Sequence, residues 1–77
     1  MLKDSVEYIV KKLVDNPGAV EVSEITGEQA TIIELRVAPE DLGKVIGKEG
    51  RTARSLRTLV HAAATKDRRR AVLEILE

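Results

Sequence analysis

Residues 45–60 read VIGKEGRTARSLRTLV. Gly47 and Gly50 bracket a Lys-Glu pair, and a helical pattern carrying Arg51, Arg54 and Arg57 follows at once. A Gly-x-x-Gly between two helices is compatible with a plain tight reversal, because glycine accepts positive φ without steric cost. It is also compatible with a loop that lets a negatively charged chain come close. Glycines remove side-chain obstruction, and the N-terminus of the next helix aims unpaired N–H groups at an anion. The motif alone does not choose between the two, so its surroundings decide.

At about 100° per residue, Ala53, Leu56, Val60, Ala63 and Ala64 gather into one core-facing stripe of a helix over 51–65. Arg54, Arg57 and His61 form a basic flank. Thr52, Ser55, Leu59 and Ala62 form the other flank, a candidate partner face, unless Leu59 only adds to the core. Before the loop, APEDLGKVI (38–46) reads as a short helix, with Pro39 at its first position and Glu40 and Asp41 where the helix dipole favours anions.

Further out, LKDSVEYIVKKLV (2–14) has Leu2, Val6, Ile9, Val10 and Leu13 at helical spacing, and Pro17 and Gly18 end it. AVEVSEIT (19–26) and ATIIELRV (30–37) alternate as strands across a short Gly-containing turn, which suggests a hairpin. RAVLEILE (70–77) reads as a well-buried strand, preceded by an exposed connection, TKDRRR (65–70). The order α-β-β-α-α-β predicts an α+β, two-layer domain: three strands in one sheet, with three helices on one face. Seventy-seven residues are too few for two cores, so residues 1–77 are expected to form one domain.

Composition narrows the function classes. The chain has no cysteine and a single histidine, His61, so neither a disulfide framework nor a metal site is expected. Apolar runs are too short to span a membrane and the start lacks a signal-peptide block, which makes a cytoplasmic location the expectation. The only aromatic residue is Tyr8, so no base-stacking platform of the kind found in RNA-recognition sheets or OB barrels can be built. Carboxylates are scattered and no serine has a visible base partner, so no enzyme activity and no cofactor are expected.

Net charge is zero, yet residues 44–70 hold nine basic side chains against Glu49 and Asp67, a local balance of +7. Such a chain can present one basic surface while staying neutral overall. GKVIGKEG is a poor nucleotide-phosphate loop: Gly43 and Gly47 enclose one residue too few, and Glu49 stands where Ser or Thr would meet magnesium. A helix-turn-helix for duplex DNA fits badly with a helix pair inserted between strands. A clamp on a nucleic-acid backbone fits best, with Lys48 and Arg51 placed for phosphates and Glu49 discordant, expected to point to solvent.

The context DLGKVIGKEGRTARSLRTLV, an aliphatic pair before G-x-x-G and an amphipathic helix after it, resembles the KH domain signature. The element order resembles the bacterial, type II form of that fold, whose three-stranded sheet is mixed. Over essentially the whole chain, with the G-x-x-G core region at about 30–77, the sequence is similar to the small single-domain bacterial KH proteins of the KhpA family.

The resemblance implies a non-catalytic single-stranded RNA binder. Its G-x-x-G loop, carried over as Gly47, Lys48, Glu49 and Gly50, would clamp the backbone of about four nucleotides. Lys44, Arg51 and Arg54 are expected on phosphates. Val45, Ile46 and Ala53 would wall an aliphatic groove, and Ile33 and Leu35 would serve as its floor or as core. The resemblance also implies pairing, as a homodimer or with a larger multidomain KH protein of the KhpB or Jag type. It further implies a role in RNA regulation or chaperoning, linked in some bacteria to cell elongation and envelope homeostasis. The alternative is a dimerisation or adaptor module whose RNA contact comes mainly from its partner.

Overall fold

The structure, a computed structural model, describes residues 2–77. Helix α1 spans Leu2–Leu13, strands β1 and β2 span Glu21–Thr26 and Ala30–Arg36, helices α2 and α3 span Leu42–Ile46 and Arg51–Lys66, and strand β3 spans Arg70–Leu76. Single 3-10 turns at Pro17–Ala19, Pro39–Asp41 and Lys48–Gly50 link them. The α+β order read from the sequence is the order found.

β1 and β2 form the expected antiparallel hairpin, closed by the Gly27 amide donating to the Ala30 carbonyl at 2.7 Å. β3 pairs with β2 in parallel, giving a mixed sheet of order β1-β2-β3. A parallel partner cannot be reached by a tight turn, so the chain crosses over through α2, the loop and α3 before returning.

The helices and one sheet face enclose the core. α1 contributes Val6 and Val10 from its apolar stripe, and a Glu7–Lys11 ion pair of 2.8 Å spans one turn of its outer face. Ile33 and Leu35 of the central strand are wholly buried, so they belong to the core. α3 adds Ala53, Leu56, Val60 and Ala64, and β3 adds Ala71 and Leu73.

Two expectations need correction. β3 is not buried on both faces. It is an edge strand packed on one side only, and Val72 on the other side is 43% exposed. Ala63 is exposed rather than part of the α3 stripe, because the contact with the sheet at this end of the helix runs through Ala64. The 65–70 connection is largely exposed, as expected. α3 continues to Lys66, and half-buried Arg69 donates from one guanidinium nitrogen to the Gly27 carbonyl (3.0 Å) and the Thr31 hydroxyl (3.3 Å), fastening the connection to the β1–β2 hairpin.

Asp41 stands at the helix start, as expected, and takes on a second task there. It is 1% exposed, and its carboxylate accepts from the backbone amides of Asp15 (3.2 Å) and Asn16 (3.0 Å), just beyond α1. It therefore pins the entry to α2 against the exit from α1. Removing it leaves two inward-facing amides without their acceptor. Asp41→Ala is expected to cost about 3 kcal/mol, from two charge-assisted bonds of about 1.5 kcal/mol each. Urea denaturation followed by far-UV circular dichroism measures this, and a loss below about 0.5 kcal/mol, typical of an unimportant surface change, would remove Asp41 from this role.

Candidate nucleic-acid interface

The α2–α3 loop is one tight turn built on three residues of positive φ: Gly47 (φ 78°), Glu49 (φ 57°) and Gly50 (φ 76°). The Gly47 amide closes α2 on the Gly43 carbonyl (2.9 Å), and the Gly50 amide returns to the Gly47 carbonyl (3.0 Å). The two glycines are needed for different reasons. A Cβ on Gly47 would lie 2.7 Å from the Thr52 Cβ and 2.8 Å from its backbone nitrogen, so the first turn of α3 sits directly on the loop there. A Cβ on Gly50 would meet nothing closer than an Arg54 guanidinium nitrogen at 3.9 Å, and only its φ favours glycine.

Two arginines from α3 hold the loop. Arg54 donates to the Glu49 carbonyl at 3.2 Å, and Arg51 pairs with the Glu49 carboxylate at 2.9 Å. Glu49 is exposed as expected, but it is not idle: it sits as an internal anion on Arg51. Lys48 projects from the same turn with no ion pair among the described residues.

Beside the loop runs a cleft of about 380 Å³, lined by Leu42 and Ile46 of α2, Gly50, Ala53, Arg54 and Arg57 on the α3 side, and Ile75 and Glu77 across from them. Ile46 and Ala53 were expected there. Leu42, Arg57, Ile75 and Glu77 were missed by sequence reasoning. Arg57 carried a signal, being one helical turn beyond Arg54. Ile75 and Glu77 carried none, because only the parallel placement of β3 brings them to the cleft.

Three sequence-derived candidates sit elsewhere. Val45 is wholly buried in the core and offers no wall, since the short α2 turns Leu42 and Ile46 to the cleft and Val45 inward. Lys44 points to the α1 junction, 3.2 Å from the Asp15 carboxylate and 4.0 Å from that of Asp41. Thr52 is half-buried against Gly47, while Ser55, Leu59 and Ala62 remain exposed on the outer flank of α3. Leu59 is 57% exposed, so it adds nothing to the core. Among the described residues no group of three His, Cys, Asp or Glu could hold a metal ion, and no helix is long and apolar enough to cross a membrane.

A hairpin followed by two helices that a G-x-x-G loop joins, with a third strand parallel to the second, defines a KH fold of type II. The model of the KhpA/KhpB KH-domain family matches residues 3–75. Relatives named RNA-binding protein KhpA include one from Caldanaerobacter subterraneus subsp. tengcongensis, 63% identical over 92% of this chain and 95% of its own length. Another, from Clostridium acetobutylicum, is 57% identical over 97% and 100%, and one from Aquifex aeolicus is 59% identical over 99% and 96%. No solved structure matches significantly. The chain belongs to the KhpA/KhpB family of KH domains.

The unequal surroundings of the two glycines separate their roles. Gly47→Ala combines a left-handed φ with a backbone collision and is expected to cost about 3 kcal/mol or more, whereas Gly50→Ala pays only the left-handed φ, about 1–2 kcal/mol. Thermal unfolding of both variants tests the difference, and equal losses would show that the Thr52 contact does not matter.

Proposed function

We propose that this protein binds single-stranded RNA non-catalytically, with the phosphate backbone on the Gly47–Gly50 loop and bases in the neighbouring aliphatic cleft. The observation that carries the reading is the meeting of three features in one place: a glycine turn with little side-chain cover, the N-terminal end of a 16-residue helix behind it, and Lys48, Arg51, Arg54 and Arg57 around it. Backbone N–H groups at a helix start and guanidinium groups both suit phosphate oxygens. Leu42, Ile46, Ala53 and Ile75 suit the apolar faces of bases in a site without aromatic rings. The relatives named RNA-binding protein KhpA support the same reading. In it, Val45 acts from beneath by packing, and Lys44 by its ion pairs with Asp15 and Asp41.

Glu49 acquires a role here. Its carboxylate already occupies Arg51, so an incoming phosphate has to displace it. It weakens binding and keeps the empty loop electrostatically satisfied.

A second reading rests on the outer flank of α3. Leu59 stands exposed between Ser55 and Ala62, small residues that would let another helix approach closely. We infer that this flank pairs with a second copy or with a larger KH-containing protein of the KhpB type. RNA chaperoning, cell elongation and envelope homeostasis in the cytoplasm would then be tasks of the pair.

Lys48→Asp with Glu49→Asp is expected to lower affinity for a labelled single-stranded RNA at least tenfold, with the circular dichroism spectrum unchanged. Fluorescence anisotropy reads it, and unchanged affinity would sink the clamp. For the natural loop, three or four phosphate contacts give a slope of log K against log salt of about −2 to −3, and Glu49→Gln is expected to tighten binding. For the outer flank, Leu59→Asp is expected to convert a dimer to a monomer by analytical ultracentrifugation. A chain monomeric both before and after would show that copies do not pair there.

A further inference from the structure

All three helices lie on one side of the sheet, and the other side is uncovered. Strand alternation places Glu21, Ser23 and Ile25 of β1, Ala30, Ile32, Glu34 and Arg36 of β2, and Arg70, Val72, Glu74 and Leu76 of β3 on that open face. The register sorts them into rows across the strands. Ile25, Ile32 and Val72 are direct neighbours in one row, with Ile25 52% and Val72 43% exposed and Ile32 half-buried. The next row is Ser23, Glu34 and Glu74. On the other side of the aliphatic row stands Arg70, paired with Ala30.

Two features point to an occupant. Glu34 and Glu74 face each other on adjacent strands, and neither has a cation within ion-pair distance among the described residues. Like charges placed directly opposite one another disfavour the pairing that holds them. Beside them lies an uncovered aliphatic row across three strands, about 10 Å long at the usual strand spacing. That is close to the roughly 10.5 Å between residues i and i+7 of a helix.

We propose that this face docks an amphipathic α-helix of a second protein, lying across the strands. Its apolar residues, spaced i, i+3 or i+4, and i+7, cover Ile25, Ile32 and Val72. A lysine or arginine border on one side of that stripe lies over Glu34 and Glu74, about 7 Å along the strands, and an acidic residue on the other side meets Arg70. RNA does not fit, because two carboxylates would face its phosphates. A second copy of this chain does not supply such a helix: among the described residues α1 exposes Tyr8 and Leu13, five positions apart rather than in one stripe, and α2 and α3 expose only Ile46 and Leu59, against a row of three. The face lies across the sheet from the helices that build the RNA cleft, so both can be occupied together.

Photo-crosslinking in the source bacterium tests the proposal, with p-benzoylphenylalanine replacing Val72 or, in a second variant, Ile25. The crosslinked peptide is identified by mass spectrometry. The expected product joins either position to a helical segment of another protein with a basic-bordered apolar stripe. Glu34→Lys with Glu74→Lys is expected to lower the yield at least tenfold and to leave affinity for labelled single-stranded RNA within twofold. Crosslinks from both positions to RNA, to this chain or to lipid would overturn the proposal. So would the absence of a protein crosslink from both, or a yield indifferent to the charge reversal.

Discussion

The parallel pairing of β2 with β3 is the constraint on which the rest of the molecule depends. Parallel neighbours need a long crossover, and residues 37–69 supply it. That segment closes the core through Val45, Leu56 and Val60, and it also carries the glycine loop and the arginines. Core and cleft are thus two sides of one insertion. Val45 faces inward while Ile46, its neighbour, faces the cleft, so a five-residue helix serves both. Its short length is made up by anchors at each end: Asp41 on the amides beyond α1, and Gly47 beneath Thr52.

Charge is arranged locally rather than in bulk. A chain of zero net charge gathers lysine and arginine between residues 44 and 70, yet the structure assigns these cations different tasks. Lys44 bridges acids at the α1–α2 junction, Arg69 ties a connection to a hairpin, and Arg54 holds a loop carbonyl. Lys48, Arg51, Arg54 and Arg57 remain around the loop and cleft, with Glu49 tempering one of them. Counting basic residues along the sequence therefore overstates the charge available to a ligand, because some cations already have carboxylate or carbonyl partners.

Much of the fold was legible because local signals agreed with one another. Alternation gave β1 and β2, helical spacing gave α1 and α3, and Pro17 and Gly47 marked two boundaries. The glycine loop was legible for the same reason. What the sequence could not show was set by tertiary neighbours. Nothing local distinguishes Val45 from Ile46, or Ala63 from Ala64. The apolar content of β3 suggested burial on both sides, but no layer covers the sheet face that carries Val72, and it stands in solvent. Asp41 reads as an ordinary helix-start acid until folding brings residues 15 and 16 to it, and Ile75 enters the cleft only through a pairing between strands far apart in the chain.

The edge strand also bears on the order of events during synthesis. Chains emerge from the N-terminus, so the last element of a domain is the last to become available for folding. The hairpin, the glycine loop and the arginines of α3 all precede Arg70. Ile75 and Glu77, which also line the cleft, follow α3 in and just after β3. A nascent chain stopped before β3 carries every cation of the loop but only one wall of the cleft. Charge is present early, and shape comes last: the cleft has its full outline only when β3 has docked.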